Sequence, residues 1–527
     1  MQQYDYIVVG GGSAGCTITC RLVEAGKRVL LLEDGPPDNS PFIHMPATFI
    51  KVIGSERSVI YHSEPQASAA GRRMHVPQGR TLGGGSSINA MVYIRGTAAD
   101  YDDWAAQGCS GWGWEQVLPA FKKAENHMRL SGPYHGTEGP LRVSDTRYRH
   151  PLSLAFVQAA QECGLPYNDD FNGAVQQGSG FFHTTTFNGQ RGSTAATYLA
   201  AVRQRDNLQV RTGCYVEKLL WQDKRAVGVQ WRTADGQRHE AHAGAEVILC
   251  AGALSTPKLL LLSGVGPAAQ LREHGIAMLH DAAEVGQNYQ DHLEVSVYGR
   301  CREPISLLGQ ERGFKALRNG LQWQLLRSGL LTSNVVESGG FACTDGSSRP
   351  DIQFHVLPVL VGDVDREPLP GHGISINPCL LRPKSRGSVS LSSPDARAPL
   401  RFVSGALSHE DDVAGLLRGV RLARRILRAP SLQRVISEEL LPSAAEYASD
   451  EVLITHIRSH AKTVYHPVGT CRMGGDAAAV VNPQLQLNGV EGVRICDASI
   501  MPSIISGNTN APVIMIAERC ADFILRS

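Results

Sequence analysis

The segment GGGSAG, Gly10 to Gly15, follows the apolar run YDYIVV of Tyr4 to Val9 and satisfies two chemical motifs at once. From Gly10, Gly12 and Gly15 it reads G-x-G-x-x-G, a turn whose missing side chains let backbone approach a pyrophosphate. From Gly11, Ser13 and Gly15 it reads G-x-S-x-G, the strand-to-helix elbow that presents a hydrolase serine. The flanking residues choose between them. Tyr4 to Val9 has the β-branched character of a buried parallel strand, Ser13 to Ala25 reads as a helix stopped at Gly26, and Arg28 to Leu32 reads as a second strand. Glu33 closes that strand 18 residues after Gly15, where a dinucleotide fold wants a carboxylate for the ribose hydroxyls. A hydrolase elbow follows several earlier strands, because its serine sits at the top of a finished central sheet, and residue 13 leaves no room for them. The nucleotide reading prevails. Gly10, Gly12, Ser13, Ala14 and Gly15 then form the phosphate turn, with Ser13 a backbone and hydroxyl donor at the helix N-terminus.

The rest of the chain sets bounds on partners. Its 527 residues exceed the size at which one core keeps growing, so two domains are expected. With 51 basic and 50 acidic residues the formal charge is +1, which argues against a nucleic-acid partner and for a small molecule. Twelve cysteines are scattered from Cys16 to Cys520 without C-x-x-C pairs or zinc-type spacings, so they read as reduced and no metal site is expected. No signal-type leader and no apolar run near the ~20 residues of a membrane span is present; a cytoplasmic protein without a membrane span is the expectation.

Short strands are expected at Leu208 to Arg211, Tyr215 to Trp221, Ala226 to Trp231, Glu246 to Cys250 and Val493 to Cys496. Nucleotide-domain strands therefore occur early, in the middle and late. The spacing predicts a discontinuous first domain over 1–150, 190–300 and 460–527, with 151–189 and 301–459 forming a second. Between Gly252 and Gly264, Thr256 reads as an N-cap and Pro257 as the first helical residue.

Four further stretches, GRTLGGGSSINAMVYIRG (Gly79 to Gly96), GALSTPKLLLLSGVG (Gly252 to Gly266), YHPVGTCRMG (from Tyr465) and CDASIMPSIISGNTNAP (from Cys496), resemble the motifs of the glucose-methanol-choline (GMC) oxidoreductases. LPYNDDFNG, SNVVESGGF and LRPKSRGSVSL are most similar to the bacterial sorbose and polyethylene glycol dehydrogenase branch. The resemblance runs nearly end to end. It implies a two-domain α/β flavoprotein: a Rossmann-like FAD-binding domain, roofed by a substrate domain built on an antiparallel sheet with helices. The implied reaction is oxidation of a primary alcohol or polyol, with hydride passing to flavin N5 and electrons going on to oxygen or to a quinone or dye. An oxygen-using aryl or furanic alcohol oxidase is the alternative, and a serine hydrolase on Ser13 a distant one.

By resemblance, Asn89, Ala90, Met91 and Val92 line the isoalloxazine, Gly83, Gly84 and Ser87 belong to the loop along the pyrophosphate, and Val216, Ala251 and Gly252 meet the cofactor. Asp497 and Ala498 are placed at the flavin or its ribityl chain. The glycines of the loop permit close backbone approach, and Ser86, Ser87 and Asn89 offer hydrogen bonds. Some family members attach flavin through a histidine just before the asparagine; Ile88 stands there in this chain, so FAD is expected to be non-covalent. Asn482 replaces the aspartate that relatives often carry. His466 is the candidate base, since an imidazole of pKa ~6.5 suits removal of a hydroxyl proton. Asn510 stands where the family carries its second active-site group, histidine or asparagine, as a donor to the developing alkoxide. Pro512 and the apolar spacing from Val513 to Leu525 predict a helix whose positive N-terminus faces the flavin.

Overall fold

The run Tyr4–Val9 carries apolar residues on both of its faces, so it needs cover on both sides. In the computed structural model, which describes residues 4–364, 366–442 and 448–526, it lies inside a seven-stranded sheet. Leu208–Arg211, Val29–Leu32, Tyr4–Val9, Arg238–Leu249 and Val493–Ile495 run parallel. Val9 is level with Leu32 and Leu249, and Leu249 with Ile495. Gly10, Glu33, Cys250 and Cys496 thus leave the sheet along one edge, the place where open parallel sheets bind ligands.

The strand expected from Glu246 begins eight residues earlier, at Arg238. Its first half, RHEAHAGA, is polar and half-exposed, so no apolar run announces it. It is held instead by an antiparallel meander with Arg225–Thr233 and Cys214–Gln222.

The helix Ser13–Glu24 packs along the terminal helix Asn510–Arg526. Arg21 reaches the fully buried Glu518 with Nη2 to Oε1 at 2.7 Å, and the Tyr198 hydroxyl donates to the same oxygen at 2.8 Å. A buried carboxylate is tolerable only with such partners. The first and last helices are thereby fixed together, and their N-termini meet where Ser13 Oγ donates to Asn510 Oδ1 at 2.8 Å.

The expectation that Thr256 caps a helix starting at Pro257 is overturned. The helix is Gly252–Leu262, and Pro257 lies inside it. An internal proline leaves the carbonyl four residues earlier without its helical donor. Here that carbonyl, on Ala253, accepts from Thr470 Oγ1, while Thr256 Oγ1 donates to Asp497 Oδ2 at 2.6 Å. Tertiary partners replace the lost backbone bond.

A second sheet of eight strands is antiparallel throughout its pairs. Ile436–Leu441, Val297–Cys301, Gly373–Leu380, Ile352–Leu357, Ser338–Ala342 and Gly178–Phe181 follow one another, and Leu293–Glu294 joins Gly373–Leu380 to Lys462–Thr463. Helices Pro151–Glu162 and Glu410–Leu427 pack on it and close its core. Leu293–Glu294 and Lys462–Thr463, and Val297–Cys301 as far as residue 300, fall within the spans expected for the first domain. His466 follows three residues after Thr463.

Candidate active site

One cavity of about 1310 Å³ runs from the edge of the parallel sheet to the face of the antiparallel one. It exceeds the ~300–1,000 Å³ typical of a small-ligand pocket, so it has room for a large cofactor and a substrate beside it. Gly10, Gly12, Ser13, Ala14, Glu33, Val216, Ala251 and Gly252 border one part, and Asn89, Ala90, Met91, Val92, Asp497, Ala498, His466 and Asn510 border the rest.

The three motif glycines have different duties. A Cβ on Gly15 would lie 1.8 Å from the Gly10 carbonyl oxygen, and one on Gly10, at φ +98°, would lie 2.5 Å from the Cys250 carbonyl oxygen. These two let strands and helix close up. Gly12 alone faces open space, its nearest neighbour being Gly84 Cα at 3.8 Å from a built Cβ. That opening, at a helix N-terminus, fits a pyrophosphate.

Glu33 accepts from the Gly11 amide at 2.7 Å and the Gly35 amide at 2.9 Å, and burial pushes its carboxyl up to about 7. Each oxygen keeps a second lone pair for a ribose hydroxyl. Glu33→Ala is therefore expected to weaken FAD retention by roughly 1.5–3 kcal/mol, the worth of a charge-assisted hydrogen bond, with the rate of flavin reduction in the reconstituted enzyme nearly unchanged. Equilibrium dialysis against FAD checks this; wild-type affinity in the variant would refute the role.

Besides Gly15, two expected cofactor contacts, Gly83 and Ser87, stand behind the wall, whereas Gly84 borders the cavity. Gly83 donates its amide to the Gly11 carbonyl at 2.7 Å, locking the two glycine loops together. Ser87 Oγ donates to the Leu82 carbonyl at 2.7 Å and Ser86 Oγ to the Gly83 carbonyl at 2.6 Å, so both hydroxyls serve the loop's own backbone. The loop ends with Met91 at φ +59°, a conformation costly for a side-chain-bearing residue and one that gathers at functional sites. Asn89 Oδ1 supports it by accepting from the Met91 amide at 3.0 Å and from Arg191 Nη1 at 2.7 Å. Arg191 was not legible from sequence, being an isolated arginine in the two-residue strand Gln190–Arg191. Asp497 binds three groups, the Gly252 amide, Thr256 Oγ1 and the Ser499 amide at 2.8, 2.6 and 2.9 Å. Its carboxylate joins the strand end to the neighbouring helix and leaves Ala498 on the cavity.

Ser13 Oγ donates to an amide oxygen, whereas an elbow serine is hydrogen-bonded to a histidine. The hydrolase alternative lacks its base.

His466 is held from three directions. Its backbone amide donates to Asp291 Oδ1 at 2.8 Å; its Nδ1 meets His292 Nδ1 at 3.0 Å; its Nε2 meets Asn508 Nδ2 at 3.3 Å. His292 Nε2 lies 3.0 Å from the Leu381 carbonyl, which only accepts. That nitrogen must carry a proton. Burial lowers His292 to about 4, so it is neutral and its Nδ1 is an acceptor. His466 Nδ1 then bears the proton, and His466 Nε2 presents a lone pair. Asn508 fits this direction, since Gln353 Nε2 donates to its Oδ1 at 3.0 Å and turns its NH2 toward His466. Burial, then the neighbouring His292 and His355, hold His466 well below the usual histidine range.

The amide that meets His466 is thus Asn508, two residues before the expected Asn510. Asn510 is the first residue of the terminal helix and accepts from Ser13. The sequence SGNTNAP offers two asparagines, and only the position of the helix start separates them.

Also on the cavity, Glu294 Oε2 lies 3.1 Å from His355 Nδ1, and its Oε1 lies 3.7 Å from Lys462 Nζ. Asn377 Nδ2 donates to Glu294 Oε1 at 3.4 Å. His355 Nε2 and Asn377 Oδ1 are buried polar atoms without hydrogen-bond partners among the described residues, and both residues border the cavity. Elsewhere, Glu125, His127 and His135 bring ligand-type atoms within 4.8 Å of one another. Arg95 already pairs with Glu125, and His135 Nε2 sits 2.9 Å from Asp170, so internal cations balance that cluster.

The family model described as GMC oxidoreductase matches residues 4–294 in its N-terminal part and 383–517 in its C-terminal part. The chain is 44% identical to "Alcohol dehydrogenase [acceptor]" of Pseudomonas putida, covering 99% of this chain and 96% of that protein. It is 42% identical to mitochondrial choline dehydrogenase of Mus musculus, covering 99% and 89%. Among solved structures, pyridoxine 4-oxidase from Mesorbium loti superposes with a TM-score of 0.90 at 31% identity, covering 99% of each chain. Formate oxidase from Aspergillus oryzae RIB40, in a study of FAD modification, superposes at 0.92 with 25% identity, covering 100% and 98%.

Proposed function

The chain belongs to the GMC oxidoreductase family, and on that premise we propose that it oxidises a primary alcohol to the aldehyde with His466 as the base. FAD is its cofactor and supplies, when bound, the acceptor for the hydride. The observation that carries the reading is the chain of hydrogen bonds from the Leu381 carbonyl through His292 to His466, which leaves Nε2 of His466, a residue on the cavity, unprotonated beside the Asn508 amide. A hydroxyl placed there gives its proton to Nε2, and the Asn508 amide donates to the oxygen as charge develops on it.

His292 acts through His466 and is a positioning residue. In His292→Ala the acceptor for His466 Nδ1–H is lost and the wrong tautomer is populated, the kind of change that has cost up to ~10,000-fold in serine proteases. A loss of at least about 10-fold in flavin reduction is expected here. Because His292 also lowers the pKa of His466, the acid limb of the variant's pH–rate profile should move to higher pH. A reduced rate with an unmoved acid limb would leave His292 a merely structural role.

Ile88 borders the cavity where an attaching histidine stands in some relatives, and it has no nucleophile. FAD is accordingly non-covalent in this proposal. Acid precipitation should release the yellow colour into the supernatant, and colour retained in the pellet would contradict it.

The substrate wall favours an alcohol with further hydroxyls. His355 Nε2 and Asn377 Oδ1 are the buried polar atoms that this wall offers a substrate. Leaving buried polar atoms unmatched costs ~1–3 kcal/mol each, which polyol hydroxyls, able to donate and to accept, would recover. The Pseudomonas and mouse relatives are named as dehydrogenases, which favours a quinone or dye over oxygen as electron acceptor; the oxidase at 31% identity keeps an oxygen-using aryl or furanic alcohol oxidase as the second reading. An anaerobic alcohol panel read by flavin bleaching, followed by admission of air, separates them. Bleaching by polyols with slow recovery in air is the expected result; no bleaching by any alcohol would end the proposal.

A further inference from the structure

We infer that the helix Gly313–Leu326 is a docking face for an anionic lipid surface. Its large apolar residues point outward. Phe314, Leu317, Leu321 and Leu325 are 77%, 58%, 51% and 74% exposed. Their spacing of three, four and four residues puts them on one stripe of the helix. An ordinary surface helix turns such a stripe to the core. This helix is anchored by its other side, where Trp323 Nε1 donates to the Gly189 carbonyl at 2.7 Å and the buried Asn319 donates to the Gln310 carbonyl at 3.2 Å.

Cations flank the stripe and outnumber the acids beside it. Arg312, Lys315, Arg318 and Arg327 lie on the helix or at its ends, and residues 312–336 contain no aspartate or glutamate. The preceding Glu311 pairs with Arg312 at 3.0 Å. An amphipathic helix with four basic residues beside an outward Phe and Leu face matches the pattern that lies in the headgroup plane, its apolar side ~5–10 Å deep. A second copy of this chain is the poorer occupant, since two such faces in contact would bring their cations together with only Glu311 of each to offset them. Crossing the bilayer is not required of the chain: among the described residues no helix is long and apolar enough to span one.

The patch continues to the cavity. The turn Leu330–Thr332, just after the helix, packs on the turn Pro46–Lys51. There Ile50 is 63% exposed and borders the cavity together with Phe49 and Ile53. A chain docked on this face opens its cavity beside the lipid, where an apolar-tailed alcohol or electron acceptor is concentrated.

The test is co-sedimentation of the FAD-loaded full chain with vesicles of phosphatidylcholine plus phosphatidylglycerol, and of phosphatidylcholine alone, at low and high salt. Binding to the anionic vesicles, weakened by salt, is the expected result. Leu321→Glu with Leu325→Glu should abolish it, and Lys315→Glu with Arg318→Glu should weaken it at least about tenfold on anionic vesicles. The visible flavin spectrum and the rate of flavin reduction should match wild type in both variants, which separates a lost docking face from a misfolded chain. Wild type that stays in the supernatant with anionic vesicles overturns the inference, as does binding indifferent to the leucine substitutions. A stable dimer in light scattering that Leu321→Glu dissolves would overturn it too, by assigning the face to a second copy.

Discussion

His466→Ala is expected to slow flavin reduction by the ~100- to 10,000-fold that accompanies loss of a general base, with FAD content close to wild type. The separation follows from the geometry: His466 binds Asp291, His292 and Asn508, whereas the phosphate turn, Glu33 and Asp497 hold partners of their own, none of them shared with His466. The defect should shrink at high pH, where more substrate is already alkoxide. The pH profile of the wild type carries a second sign. From the residue type alone, reduction would rise with pH through a pKa near ~6.5. Burial and the neighbouring His292 and His355 hold His466 well below its ordinary value, so the imidazole stays neutral to lower pH. The proton-accepting form is then present throughout the neutral range, and the rate should fall only in acid, below the ordinary histidine range. Anaerobic stopped-flow reduction of both proteins across pH measures all of this. A variant that reduces its flavin at nearly the wild-type rate would place the base elsewhere.

The parts of the molecule legible in the sequence are those whose constraints are local. Tyr4 to Glu33 was readable because strand, turn, helix and acid each carry their own signal within about thirty residues. His466 was singled out by its motif, and it borders the cavity. What escaped depends on contacts between distant segments. The polar half of Arg238–Leu249 is a strand only because a meander pairs with it. Pro257 sits inside a helix only because Thr470 satisfies the carbonyl it orphans. Ser87 looks like a free donor in the sequence, yet its hydroxyl is used by Leu82. The His292 relay was missed for the same reason. Its three members, Leu381, His292 and His466, are far apart in the chain, and a histidine two residues before Glu294 carries no mark of the carbonyl beneath it.

Asn508→Ala should cost far more in rate than Asn510→Ala, and the comparison decides which amide serves the reaction. Asn508 is preorganised: Gln353 fixes its oxygen, so its NH2 is aimed at His466 Nε2 before substrate arrives. A donor held in place for a developing alkoxide is worth ~100- to 1,000-fold in kcat when removed. Asn510 accepts from Ser13 at the junction of the first and last helices. Losing one ordinary hydrogen bond there costs ~0.5–1.5 kcal/mol, felt as looser FAD retention with little change in the reduction step. Asn508→Asp sharpens the distinction, because a carboxylate facing an oxygen that becomes negative repels it and draws the proton on His466 toward itself. It should be at least as slow as Asn508→Ala, although it is nearly isosteric with the native residue. Stopped-flow rates and FAD dissociation constants for the three variants give the readout. Should Asn510→Ala show the larger loss in rate with FAD bound, the donor to the alkoxide is Asn510, and the contact between Asn508 and His466 serves only to orient the imidazole.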